Sequence, residues 1–266
     1  MSKRIALITS AAPSDGLTAG QADASHVYSR MVDQQLGGCD HSASTLLTRC
    51  DSVKQFEGKL NGLLCDWQVD DQFIFYFSGY GDDLNDVYCL KFGTGASDWL
   101  PFANIYNLMQ SHGVRKAIII LDACYSGKAI KSDKLNSIGQ SLPSGYAYLV
   151  SSGERQKSRE KQDGSVSVFT ELLRDALDSG LGGKATSDDM ICVDDIAGFV
   201  RDKLQNDVNY REYAQRPLFD VRKADERVWV SQNRSRAPSS KEVSDKINES
   251  CSFGGGASHT IRSYVK

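Results

Sequence analysis

Two short segments combine glycine with groups able to do chemistry: Ser78-Gly-Tyr-Gly81 and Asp122-Ala-Cys-Tyr-Ser-Gly127. Each follows directly on an apolar run, Phe73-Ile-Phe-Tyr-Phe77 in the first case and Ala117-Ile-Ile-Ile-Leu121 in the second. In an open α/β sheet, ligands and reacting groups gather beyond the C-terminal ends of the strands. Glycine there lets the backbone turn sharply and brings main-chain N–H groups close to a bound molecule. A cysteine so placed stands on the rim of a cleft, where its thiolate is available as a nucleophile. The plainer reading of Cys124 is a buried structural thiol, because free cysteine is among the most buried residue types. A nucleophilic thiol is usually activated by an imidazole, and the chain has four histidines, His26, His41, His112 and His259, none in either segment.

The rest of the chain reads as the scaffold for these two segments. Phe73–Phe77, Ala117–Leu121 and Tyr146–Val150 are apolar on both faces, the pattern of central strands covered by helices on each side. Ile5–Thr9 and Ser44–Thr48 read as further strands. Helical spacing marks Val27, Met31 and Leu36 after Asp23, then Phe56, Leu60 and Leu64, and the stretches Phe102–Ser111, Phe169–Leu177 and Val193–Leu204. Strands alternating with helices predict an α/β fold with a mainly parallel sheet of about six strands and helices on both faces. The Lys/Ser/Gly-rich stretch 128–145 falls between two central strands and reads as an exposed linker. From about Ser231 the chain becomes Ser, Arg, Lys and Gly with few large apolar residues. The expected layout is one domain over 1–230 and a flexible tail over 231–266.

Composition narrows the function classes. The 266 residues carry 31 basic and 34 acidic side chains, a net charge of −3, which gives no electrostatic reason to expect nucleic acid or an anionic membrane as partner. The seven cysteines are odd in number and form no C-x-x-C pair, which points to free thiols in a reducing, cytoplasmic setting and to no zinc site. The opening MSKRIALIT has an apolar run too short for a signal peptide, and no stretch approaches the roughly 20 apolar residues of a membrane span. No cofactor is expected.

The two segments resemble the caspase and metacaspase superfamily of cysteine peptidases. Asp122-Ala-Cys-Tyr-Ser-Gly127 agrees with that family's nucleophile motif, aspartate-x-cysteine-x-serine-glycine, at every fixed position. Tyr76-Phe-Ser-Gly-Tyr-Gly81 agrees with its tyrosine-phenylalanine-serine-glycine-histidine-glycine motif except that Tyr80 stands where the family has histidine. Positions 80 and 124 lie 124 − 80 = 44 residues apart, against roughly 50 between histidine and cysteine in caspases. Weaker echoes flank these motifs: Leu17 followed by Asp23-Ala24, Ser151-Ser152, Val168-Phe-Thr170 and Gln215-Arg-Pro217, so the resemblance spans about 3–222. It implies a caspase-like three-layer sandwich, with a large-subunit-like part over about 1–127 and a small-subunit-like part over 146–230.

The resemblance also implies roles. Cys124 is the nucleophile, and the amides of Cys124 and Gly81 bind the developing oxyanion. Asp122 helps form a pocket for a basic side chain, as in metacaspase-like members; on composition alone it is equally a strand-end residue capping local amides. Tyr80 is the departure. A phenol near pKa 10 holds its proton at neutral pH, where an imidazole near 6.5 can take one and return it. Tyr80 is read as an aromatic plug in the base's place, in preference to a catalytic tyrosine. His26, on the first helix near the loop that borders the cleft in the family, is the best-placed substitute base. The acidic run Asp82-Asp83 with Asp86 reads as a solvated loop rather than a calcium site. The leading expectation is a caspase-like pseudopeptidase that binds a peptide or protein at its cleft. An active cysteine endopeptidase cleaving after Arg or Lys, and a non-catalytic partner dimerising through a sheet edge, are the alternatives.

Overall fold

The computed structural model describes residues 2–13, 17–131, 145–181, 189–222 and 228–234, all within the unit Met1–Ser235. The tail beyond Arg234 and positions 132–144 of the expected linker, with its Lys134, lie outside the described residues, as does His259.

The strands β1 (Arg4–Ala11), β2 (Thr45–Cys50), β3 (Gln72–Leu84), β6 (Lys116–Ala123), β7 (Tyr146–Val150) and β9 (Leu218–Arg222) form one sheet in the order β2-β1-β3-β6-β7-β9. Every pairing along it is parallel except β7 with β9. The doubly apolar runs occupy its middle because strands there are covered on both faces. Successive side chains of a strand point to opposite faces, and β3 shows the consequence. Phe73, Phe75 and Phe77 enter one core with Phe56, Leu60 and Leu64 of α2 (Val53–Leu64) and Phe102, Ile105 and Met109 of α3 (Phe102–Ser111). Ile74 and Tyr76 enter the other with Val27 and Met31 of α1 (Gly20–Val32), Leu172 and Leu173 of α5 (Val168–Ser179), and Ile196 and Val200 of α6 (Val193–Asn206). Two dry layers on one sheet give an α/β three-layer sandwich with a mainly parallel centre.

Several elements depart from the sequence expectation. β3 does not end at Phe77: it continues through Gly79-Tyr80-Gly81 to Leu84 and folds back into β4 (Val87–Lys91), which pairs β5 (Trp99–Pro101). The acidic run lies in this hairpin, whose Asn85 and Asp86 both have positive φ, as the twist of a two-residue hairpin turn requires. The stretch after Cys124 begins as a helix, α4 (Gly127–Lys131), with Ala129 buried and Lys128 ion-paired to Asp83. Past Ser231 the chain still packs: β10 (Trp229–Gln232) pairs β8 (Met190–Cys192), and Ser231 and Asn233 are buried. The core and hydrogen-bond gains of the ladder outweigh the polar composition there. Among the described residues no helix is long and apolar enough to cross a membrane.

Candidate active site

β3 and β6 run side by side in register, with Ser78 opposite Asp122 and Gly79 opposite Ala123. This register brings segments 44 residues apart in sequence to one sheet end. Tyr80, Asp122 and Cys124 all line one cleft, with Ala11–Pro13, Leu17, Thr18, Gly20 and Gln21 from the end of β1 to the start of α1 and Ser158–Glu160 and Ser167 from the segment between β7 and α5.

The glycines serve the site differently from the sharp turn expected of them. Neither Gly79 nor Gly81 has positive φ; both sit in extended β3. Gly81 is needed for close approach: a Cβ there would stand 2.3 Å from the Tyr88 hydroxyl and 2.7 Å from the Cys124 carbonyl oxygen. The Tyr88 hydroxyl donates to that same carbonyl at 3.1 Å, so the backbone of the first segment lies directly against the Cys124 peptide. In the second segment the left-handed residue is Tyr125 (φ 56°), not Gly127. Gly127 again permits close approach, since a Cβ would lie 2.7 Å from the Glu154 amide nitrogen.

Cys124 is 5% exposed. Burial pushes its thiol up; the Ser158 amide and Lys157 oppose this, while Asp122 and Asp82 add to it. A thiol so placed is less ionised at neutral pH than a free one. Tyr80 is half-buried beside it, and its ring lies under the Lys91 ammonium, 5.9 Å from the centroid, while the Trp99 ring lies 5.6 Å from the same ammonium.

Below Cys124 is a buried carboxylate pair. Asp122 accepts hydrogen bonds from the hydroxyls of Ser158 and of Thr170, the latter at 2.7 Å. Asp23, from α1, accepts the Ser167 amide at 2.9 Å, the Ser167 hydroxyl at 2.6 Å and the Ser78 hydroxyl at 2.8 Å. Gln215 closes this end, donating to the Ser151 carbonyl at 2.8 Å and the Ser158 hydroxyl at 3.2 Å. Burial, then the charge of Asp122, pushes Asp23 up to about 7; burial also pushes Asp122 up. Sequence reasoning singled out Asp122 but gave Asp23 no part in the site. The signal was there: Asp23 stands at four-residue spacing with Val27 and Met31, a carboxylate on the apolar stripe of its helix. An acid buried there needs partners, and they come from distant segments, Ser78 on β3 and Ser167 before α5.

Among the described residues no histidine lines the cleft. His26 lies by Arg174, Arg30 and Asp178, on the α1 face toward α5, and burial and the two arginines push it down; it does not line the cleft. His112 bonds Asn61 at 3.0 Å and His41 lies 6.1 Å from the Tyr28 ring, both away from the cleft. The one cluster among the described residues with metal-ligand spacing, Cys192, Asp194 and Asp195, sits at the start of α6. There Asp195 accepts the Cys192 amide at 2.9 Å, a helix cap.

A family model described as the caspase domain matches residues 31–228. A search of curated proteins finds no match to the chain. Among solved structures, the chain is similar to caspase-1 from Spodoptera frugiperda, at TM-score 0.58 and 12% identity over 89% of this chain and 92% of that one. It is similar also to a protein from Geobacter sulfurreducens, at TM-score 0.58 and 17% identity over 89% of this chain and all of that one. Likeness at these identities speaks to the fold.

Proposed function

Because the chain belongs to the caspase-domain family, we propose that it is a caspase-like pseudopeptidase: a module that holds a basic side chain of a peptide or protein partner in its cleft without efficient turnover. The observation that carries this reading is the cleft itself. It offers Cys124 and the buried carboxylate of Asp122 but, among its lining residues, no imidazole; Tyr80 stands at the position where the resemblance puts the family's histidine. The raised thiol of Cys124 supports the same reading, since no lining imidazole takes up the thiol proton and passes it to a leaving amine. The oxyanion donors, the Cys124 and Gly81 amides, are assigned on the resemblance, and the contact of Gly81 with the Cys124 peptide is compatible with it. Purified protein is expected to leave Arg- and Lys-containing reporter peptides uncut, indistinguishably from a Cys124→Ala control. Robust cleavage that the control abolishes would establish the alternative, an active cysteine endopeptidase cutting after Arg or Lys.

A second reading, a non-catalytic dimerisation partner, is favoured by one observation. β9 ends the sheet, and Phe219 and Val221 on one of its faces are exposed at 39% and 36%. A free, partly apolar edge strand is a template for pairing with another chain. Sedimentation at micromolar concentration is expected to show self-association that Phe219→Glu weakens; a monomer at all concentrations removes self-pairing through this edge.

A further inference from the structure

Asp23 and Asp122 are two interacting carboxyl groups, 0% and 2% exposed: Asp122 lines the cleft, and Asp23 is tied to it through Ser78 and Ser167, which line the cleft and donate to Asp23. Among the described residues neither is in an ion pair with Lys or Arg, and the hydrogen-bond donors to them are uncharged: the Ser78, Ser151, Ser158, Ser167 and Thr170 hydroxyls and the Ser167 and Thr170 amides. The Thr170 hydroxyl lies 2.7 Å from Asp122 and 2.6 Å from the Tyr76 hydroxyl, so when Thr170 gives its single proton to an ionised Asp122 the Tyr76 hydroxyl donates to Thr170. Tyr76 therefore keeps its proton, and burial together with the two carboxylates holds it in that form.

The charged groups on the surrounding elements do not neutralise the pair. On α1 the titratable group facing it is Asp23 itself. β3 contributes the Tyr76 and Tyr80 phenols, and β6 with its following turn contributes Asp122 and the Cys124 thiol. The wall from 153 to 167 brings Lys157, Arg159 and Glu160. Lys157 acts on Cys124, and Glu160 is taken up by the amides of Thr18 and Ala19, at 3.0 and 2.9 Å. On α5, Glu171 is paired with Lys161 at 2.9 Å. Two like charges without a cation cannot both persist at low cost in so dry a place. The system has two ways to reduce the charge: bind a proton, or bind a cation.

We propose that these two outcomes compete: the empty Asp23–Asp122 pair holds a proton, and a guanidinium or ammonium group entering the pocket displaces it to solvent. This rests on the reading of the cleft as a site for a basic side chain, and it adds a regulation. The exchange balances as protonated pair plus cation giving paired cation plus free proton. Occupancy of the cleft is then pH-dependent in the neutral range, with acid favouring the empty state. The upward push on Asp23, to about 7, sets the window.

Titration calorimetry of the full chain with Nα-acetyl-arginine methylamide, at pH 6 and pH 8 in buffers of low and high ionisation enthalpy, tests the exchange. At pH 6 the heats are expected to differ between buffers by nearly one proton per ligand bound. At pH 8 that difference is expected to shrink toward zero, with Kd about tenfold tighter than at pH 6. Ser78→Ala removes one hydrogen bond from the Asp23 carboxylate and is expected to extend proton release toward pH 8; its fold is checked by thermal melting, and the wild-type titrations decide the matter if it melts early. Equal Kd at both pH values with buffer-independent heats overturns the proton exchange and leaves the basic pocket standing. Absence of binding at both overturns both.

Discussion

Tyr80→His is expected to raise hydrolysis of activated esters and reporter amides by about 10²–10⁴-fold, the range typical of general acid–base catalysis. Cys124 is already in the cleft, and the turn that carries it is held by the Tyr88 hydroxyl and by the close packing of Gly81. Imidazole is smaller than the phenol it replaces, so it enters a half-buried position without overpacking. It would stand near the Lys91 ammonium that now covers the Tyr80 ring, and a neighbouring cation favours the neutral imidazole, the form that acts as base. Its first effect falls on Cys124, whose thiol burial now holds protonated. Alkylation by iodoacetamide near neutral pH is therefore expected to quicken along with hydrolysis. A folded variant with neither change would place further defects in the cleft and move the case toward a purely structural module.

Asp122→Asn is expected to weaken binding of arginine- or lysine-bearing peptides by roughly 30- to 4,000-fold, the equivalent of about 2–5 kcal/mol for removing one partner of a buried charge pair. The same substitution should act oppositely on the empty protein. Asp23 is pushed up from an ordinary 3.8 to about 7 by burial and by Asp122. Between those values the folded state binds more protons than the unfolded one, so this group's contribution is full below about pH 4 and is lost as pH rises through 7. The carboxylates held below the usual range, Asp40, Asp163 and Asp207, owe this to hydrogen bonds from Ser42, Ser165 and Asn209. Their contributions are lost only as pH falls below about 4. The wild-type Tm is thus expected to decline from pH 5 to pH 7.5, and Asp122→Asn, which removes the like charge, to flatten that decline. Equal binding of acidic and basic peptides by the wild type, or unchanged binding by the variant, would remove the pocket.

How much of this was written in the sequence follows from the range of the forces involved. Runs apolar on both faces can only be buried between helices, so β3, β6 and β7 and the cores on either side of them were legible, as were α3, α5 and α6 from their period. The two motifs, Tyr76-Phe-Ser-Gly-Tyr-Gly81 and Asp122-Ala-Cys-Tyr-Ser-Gly127, carried the resemblance to the family. The tertiary structure decided what depends on distant segments meeting. It ran β3 past Phe77 into a hairpin because β4 offers it a partner ladder, and it assigned Gly81 and Gly127 to close packing rather than to turns. It set Asp23 beside Asp122, 99 residues away (122 − 23), with Ser167 and Thr170 donating to them from later still. A carboxylate's neighbours are chosen by the fold and not by its own segment. Burial and charge repulsion at this end of the sheet, and with them the titration of the pair and the protonation of Cys124, exist only once β3, β6, α1 and α5 have packed together.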